Sequence, residues 1–596
     1  MRDANTVLGV IRDRGTKGLP LERVYRLLFN PDLFLLAYGR IARNRGALTP
    51  GATEETADGM SLAKIGTLIE QLRSERFRWT PVRRVYIEKK NSTKKRALGL
   101  PTWSDKLVQE VVRLILEAYF EPQFSARSHG FRPGRGCHTA LKGIHRSWNG
   151  TTWFIEGDIS QYFDKLDHQV LVGILAEQIH DGRFLRLIAD LLKAGYLEDW
   201  TFNTTLSGTP QGGVVSPILA NIYLDRFDKW VETTLLSTYN RKAKRDDNQA
   251  YHRLLSLAYL RDKKGLYQEA AALRKQAKQL PIGDLTDPEY RKLRYLRYAD
   301  DFLLGFTGPR DEAERIKQHL RDFLSATLKL ELSEEKTLIT HARTEAARFL
   351  GYEISTLQDD TARTSTGRRR INGVIGLKVP LDVVKERCRR YMKHGKPVHR
   401  PEILYDSVFS TVQRYQVEYR GIVEYYRLAY NLHRFNELKW VMEQSLTKTL
   451  AAKLKISVAK VYDHFGTTLQ TPDGPYKGLQ VIIERTDRKP LVATWGGINL
   501  RRNLTVVLND QPARIWNNRT DLEQRLLANT CELCGSQENV QVHHIRAMKD
   551  LRKRDRTEKP AWVTAMAARH RKTLVVCLQC HTDIQYGHPR HNTKTG

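Results

Sequence analysis

No stretch of this chain is apolar over the roughly 20 residues needed to cross a bilayer, and its first thirty residues show no signal-peptide pattern. Cysteine is scarce, six in 596 residues: Cys137 and Cys388 stand singly, and the rest form the pairs Cys531-x-x-Cys534 and Cys577-x-x-Cys580. Such sparing use excludes a secreted disulfide framework and fits metal binding in a reducing compartment. These absences predict an intracellular protein, cytoplasmic in a bacterial host, with no membrane partner. Negative charge is also short, 67 acidic residues against 98 basic ones, a formal net charge of +31. A surplus of that size predicts a polyanionic partner, nucleic acid, bound in a strongly salt-dependent way. The length exceeds what one core can organise, so about two to four domains are expected.

What is present centres on Leu293–Phe306. Arg294, Tyr295, Leu296, Arg297 and Tyr298 alternate as a half-buried strand, Ala299-Asp300-Asp301 follows, and Phe302-Leu303-Leu304-Gly305-Phe306 reads as the partner strand. Adjacent aspartates at a hairpin tip resist joint ionisation unless a cation lies beside them. A solvated turn is the bland alternative, since turns favour Asp. Thr152 to Ile159 is another short apolar strand and carries Asp158, with Tyr162-Phe163-Asp164 just beyond. Asp158 facing Asp300 and Asp301 would supply the oxygen ligands of a two-magnesium site acting on phosphates. Between these strands Gly208 to Pro217 is a glycine-rich turn containing Gln211, which lets backbone approach a bulky ligand closely.

The rest of the chain reads as support and grip. Residues 1–50 mix short helices with Arg12, Arg14, Lys17, Arg40, Arg43 and Arg45. Residues 81–102 read as a basic hairpin turning at Asn91-Ser92-Thr93. Ser104 to Phe120 is an amphipathic helix with Ser104 expected as its N-cap. Ser128 to Cys137 reads as a loop packed on the central sheet, with arginines free to meet template backbone. Residues 236–292 read as a solvated helical insertion, and the polar, basic run 361–370 as a domain boundary. Val408, Val412, Tyr415, Tyr419, Ile422 and Tyr426 form one apolar helical face, and Lys448, Lys453, Lys455 and Lys460 suit a nucleic-acid surface. Residues 481–525 are basic and weakly patterned. The two CxxC pairs have the spacing of a tetrahedral zinc site that would staple a final small module.

Taken in order, these blocks resemble the group II intron-encoded proteins, a reverse transcriptase and maturase with a C-terminal HNH endonuclease. The resemblance implies an α/β multidomain fold: right-hand polymerase fingers and palm with an antiparallel palm sheet (1–360, with an N-terminal extension 1–60 and the insertion 236–292), and an α-helical thumb or maturase domain (371–480). A DNA-binding segment (481–525) and a zinc-stapled ββα HNH domain (526–596) would follow. It implies that Asp158, Asp300 and Asp301 hold magnesium, that Lys89 and Arg96 grip the nucleotide triphosphate, and that Phe163 excludes a ribose 2′-hydroxyl. Gln211 would touch nucleotide and template. In the last module Cys531, Cys534, Cys577 and Cys580 would hold structural zinc, His543 and His581 a catalytic ion, with magnesium expected there also. His544 would be the general base. Implied partners are intron RNA, target DNA and deoxynucleotides; no oligomeric state is fixed. The implied function is splicing assistance together with mobility by DNA cleavage and target-primed reverse transcription. The alternative is a splicing-only maturase with inactive catalytic sites. Three places depart from the family: Pro50-Gly51-Ala52-Thr53-Glu54, Lys572 where a central Asn is usual, and Gln585 where many HNH proteins have a further histidine, with His588 beyond it.

Overall fold

A computed structural model describes residues 3–44, 46–88, 95–198, 201–203, 212–284, 287–363, 369–485, 488–506, 521–545, 562–563, 566 and 572–586. Lys89, Gln211 and His588 lie outside the described residues. Among the described residues no helix is long and apolar enough to cross a membrane.

The architecture is mixed α/β and multidomain. Its first core is built on the helix Trp103–Phe120, whose Leu107, Val108, Val111, Val112, Leu114, Ile115 and Leu116 are all buried. The helix Ala4–Thr16 packs along it with Leu8 and Ile11, and Pro31–Ile41 packs beside it. Asn30 caps the latter by accepting the Asp32 N–H at 3.1 Å, with Pro31 in the first turn, where a missing N–H costs nothing. The 103–120 helix starts earlier than the expected Ser104: its cap is Thr102, whose Oγ1 accepts the Asp105 N–H at 3.3 Å. Ser104 turns away instead and donates to Glu55 Oε1 at 2.8 Å.

Against this core lies a four-stranded antiparallel sheet in the order Ile339–His341, Trp153–Asp158, Asp301–Thr307, Lys292–Tyr298. Its two inner strands read as apolar runs because both faces are covered: Ile155 and Leu304 face the first core, Phe154 and Leu303 the second. A second sheet orders Lys95–Leu100, Val82–Glu88, Tyr196–Glu198 and Thr201–Asn203. Within the insertion, Gln249–Lys263 and Tyr267–Ala277 pack on one another and bury only Ala258, Ala270 and Ala277, so most of both helices faces water.

The two ends of the expected boundary at 361–370 fall on paired strands, Tyr352–Arg363 and Arg369–Lys378, whose pairing runs back to Glu353 and Lys378; residues 364–368 lie outside the described residues. Beyond these strands, Val408–Tyr425 and Phe435–Leu454 carry the second core, with Val412, Tyr415 and Tyr419 fully buried. The expected limit at 480–481 falls inside the strand Gly474–Arg485, which pairs with Gly466–Thr471 and Arg488–Trp495. This sheet belongs to the same body, because fully buried Trp495 packs on Tyr415 and Tyr419 at ring distances of 6.3 and 5.4 Å. Ile482 and Val492, paired and exposed on its outer face beside buried Val481 and Ala493, hide the alternation in the sequence. Lys448 and Lys453 are not free surface cations either: their ammonium groups donate to the carbonyls of Pro397 and Leu404, each at 2.7 Å.

The last module pairs Val540–His544 with Thr573–Cys577 and adds the helix Leu578–Tyr586. Its own core is small, and Val540, Val542 and Val575 insert into the first core of the main body.

Candidate functional site

The 153–158 and 301–307 strands pair so that Asp158 stands directly opposite Asp301. Asp300 sits one residue earlier, in the two-residue loop between the paired Tyr298 and Asp301. Ala299 takes φ +57° there, as such tight hairpin loops require. The carboxylates oppose one another's ionisation. Burial and the neighbouring Asp158 raise Asp300 above its ordinary value, while desolvation, Asp300 and Asp158 push Asp301 up to about 7, against Lys336. Asp301 nonetheless opens on solvent. Three mutually repelling hard-oxygen donors on a rigid sheet edge fit magnesium. Their oxygens do not all converge within 4.8 Å, and the ammonium of exposed Lys336 lies 3.0 Å from Asp158 Oδ2.

The tip is held from below by Arg297, which is 1% exposed. Its guanidinium donates to both oxygens of buried Asp228 at 2.8 and 2.6 Å, to Ser128 Oγ at 2.8 Å and to the Ala299 carbonyl at 2.7 Å. Gly130 passes so close beneath that a β-carbon there would lie 2.3 Å from the Ala299 nitrogen. Arg297→Ala strands the Asp228 charge, and breaking a buried pair in this way costs about 3–5 kcal/mol. Urea denaturation of the variant is expected to show that loss, with nucleotide addition falling as the tip is released.

Of the candidate nucleotide residues, Arg96 and Phe163 are among the described residues. Arg96 on the Lys95–Leu100 strand is exposed and close enough to Asp300 to lower its pKa electrostatically. Phe163 lies five residues beyond Asp158 in the short helix Tyr162–Lys165, partly buried and packed on Tyr162, whose hydroxyl donates to the Ala220 carbonyl at 2.8 Å. Gly212, φ +110°, approaches the same Lys95–Leu100 strand: a β-carbon would lie 2.6 Å from the Gly99 carbonyl oxygen. Arg132 is not available to a template. It is 3% exposed and donates to Glu121 and to the carbonyls of Ser125 and Ser128. His129 donates or accepts at Thr139 and belongs to no metal group.

In the C-terminal module the four sulfurs of Cys531, Cys534, Cys577 and Cys580 lie within 4.8 Å of one another. Ligands roughly 2.3 Å from one zinc sit about 3.7–3.8 Å apart in a tetrahedron, and Cys534 Sγ is 3.7 Å from Cys577 Sγ. Burial works against the Cys531 thiolate, but backbone N–H groups from Cys534, Cys577 and Leu533 outweigh it and bring the thiol down to about 7. The donor set fits zinc.

His543 and His544 end the 540–544 strand, and His581 opens toward them from the 578–586 helix. Their rings are buried; His543 and His581 lie 5.0 Å apart, and burial lowers His543 and His544 to about 4, so both are neutral near pH 7. Two residues that sequence reasoning missed meet them. The Tyr38 hydroxyl lies 2.9 Å from His544 Nε2, and Asp58 lies within 4.8 Å of His543 and His581 donor atoms. No spacing rule links position 58 to position 543. Lys572, at the family's Asn position, accepts the Ile545 N–H through its carbonyl at 3.0 Å.

Three family models match the chain in sequence: "Reverse transcriptase (RNA-dependent DNA polymerase)" over residues 87–354, "Type II intron maturase" over 376–489, and "AI2M/AI1M-like, HNH endonuclease" over 531–581. The group II intron-encoded protein LtrA of Lactococcus lactis subsp. cremoris is 39% identical, with 95% of this chain and 96% of LtrA aligned. A 91 kDa protein in the cob intron of Schizosaccharomyces pombe is 34% identical, over 96% of this chain and 71% of its own. The nuclear intron maturase 2 of Arabidopsis thaliana is 25% identical, over 83% and 74%.

Proposed function

Since the chain belongs to the group II intron-encoded proteins, with reverse transcriptase, maturase and HNH endonuclease regions in one polypeptide, we propose that Asp158, Asp300 and Asp301 are the magnesium-binding carboxylates of its RNA-directed DNA polymerase. The observation that carries this reading is the register that sets Asp158 opposite Asp301, with Asp300 at the adjoining tip. The two sheets around that edge serve as fingers and palm. The body from the 369–378 strand through Trp495 serves as thumb and maturase, gripping intron RNA. Arg96, with Lys89 before it in the chain, draws the triphosphate to the edge, because a planar guanidinium holds phosphate oxygens in pairs. Gln211, next to Gly212 in sequence, touches nucleotide and template. Magnesium bound at the carboxylates supplies the charge that activates a primer 3′-hydroxyl and neutralises departing pyrophosphate.

The C-terminal module is read as the DNA-cutting partner of this site, leaving the 3′-hydroxyl that the polymerase extends. Its four cysteines hold structural zinc, and His543 and His581 hold a catalytic divalent cation. His544, neutral and oriented by Tyr38, takes the proton from the attacking water. The working cycle of this chain is then binding of intron RNA and target DNA, splicing assistance, cleavage of the DNA and copying of the RNA with deoxynucleotides.

The test is RNA-templated primer extension with deoxy- and ribonucleotides offered together. Wild type is expected to need a divalent cation and to prefer deoxynucleotides. Phe163→Ala is expected to relax that preference by about tenfold, the size of losing one apolar contact of some 1–3 kcal/mol. Equal use of both nucleotides by wild type, or extension in excess chelator, would overturn the assignment.

A further inference from the structure

The two endonuclease histidines are a thin donor set, and the structure brings a third donor from the opposite end of the chain. Met60 pairs with Val542: the Gly59 N–H donates to the Val542 carbonyl and the Val542 N–H to the Met60 carbonyl, each at 2.9 Å. Ala57 and Met60 are fully buried, so the segment is anchored on both sides of Asp58. Asp58 Oδ1 accepts the His544 N–H at 2.8 Å and lies 3.2 Å from His581 Nε2 and 3.6 Å from His543 Nδ1. Asp58 Oδ2 lies 3.2 Å from His581 Nε2 and accepts from the Gln585 amide at 3.1 Å.

This spacing is that of ligands around one ion. Donors roughly 2.1 Å from a shared cation stand about 3.0–3.4 Å from one another. An ion pair between Asp58 and protonated His581 would account for the 3.2 Å contact alone. It leaves His543 unexplained: the residue is 7% exposed, and among the described residues neither ring nitrogen has a hydrogen-bond partner. A buried polar group left so is destabilising; a cation between His543, His581 and Asp58 removes that cost. Gln585 also acquires a role. Standing where many HNH proteins carry a histidine, it donates to Asp58 and so aims the carboxylate, as groups behind metal ligands commonly do.

We propose that Asp58 is the third protein ligand of the divalent cation held by His543 and His581, so that the N-terminal segment completes the endonuclease centre and the ion ties the two ends of the chain together. The proposal rests on the reading of His543 and His581 as ligands. Two imidazoles and one carboxylate suit a borderline or hard divalent ion such as manganese, zinc or magnesium.

The test uses the zinc-loaded full chain with Mn²⁺ as probe, counting bound ions by electron paramagnetic resonance and following hydrogen exchange at residues 57–60 and 540–544. Wild type is expected to bind one Mn²⁺ more than His543→Ala, with exchange at 57–60 slowed by the ion. Asp58→Asn keeps an oxygen for the His544 N–H, so the segment stays docked without Mn²⁺, yet it should bind this ion about tenfold or more weakly and lose the slowing. Wild-type affinity in Asp58→Asn, with the ion still lost in His543→Ala, overturns the proposal and leaves the histidine site standing. Equal stoichiometry in wild type and His543→Ala overturns both.

Discussion

Asp300→Ala is expected to lower RNA-templated primer extension to about a thousandth of wild type or less, with binding of intron RNA unchanged. The loss follows from what the carboxylate does at the hairpin tip. A cation that activates the attacking hydroxyl and neutralises the leaving group contributes several kcal/mol to the transition state, and each 1.36 kcal/mol is tenfold in rate. Asp158 opposite Asp301 cannot hold the same charge once Asp300 is gone. Fold is not at risk in the same degree: Asp300 lies in the loop and burial penalises its charge, so its removal relieves repulsion on Asp301. Lys336→Ala supplies the opposite arm. That exposed ammonium competes for Asp158 at 3.0 Å, so its removal is expected to lower the magnesium concentration for half-maximal extension while leaving the maximum near wild type. A splicing-only protein would show neither effect. Wild-type extension by Asp300→Ala would place the polymerase centre elsewhere in the chain.

How much of this was legible in the sequence depends on how local the determinant is. Alternation and turn chemistry expose the Asp300-Asp301 hairpin, because period-two burial and the tight loop are written in neighbouring residues. The CxxC pairs are readable for the same reason. The sequence also places Asp158 at the end of an apolar strand, yet nothing local gives its register against Asp301; that comes from the shared core behind both strands. The misreadings share one cause, charge taken as exposure. Arg132 reads as a template contact and is a buried tie to Glu121. Lys448 and Lys453 read as a nucleic-acid face and close backbone carbonyls. Asp58 was illegible altogether, since its partners lie at the far end of the chain and meet it only through strand pairing at Met60 and Val542.

Zinc removal, or Cys577→Ser, is expected to unfold the C-terminal module and abolish DNA cleavage while leaving primer extension within about twofold of wild type. The module has little else to hold it. Its paired strands are five residues each, and a two-stranded unit is marginal in water by itself. The apolar residues packed around the cysteines are few, chiefly Val563, Met566, Leu574 and Val576. Structural zinc on four thiolates contributes on the order of 10–16 kcal/mol in small modules near neutral pH, far more than such a core can supply. Val540, Val542 and Val575 do reach into the main body's core, but they present the strand pair to that core only while the zinc holds its other edge together. Hydrogen exchange at residues 540–544 and 573–577 should therefore rise toward unfolded rates on chelation, and the Asp58 and Tyr38 contacts to the histidines should be lost with it. Exchange in the 153–158 and 301–307 strands should not change, because Cys531, Cys577 and Cys580 pack in a small core separate from those that bury Phe154, Ile155, Leu303 and Leu304. Slow exchange persisting at 540–544 in the zinc-free chain would show that burial against the main body, and not the metal, holds the endonuclease fold.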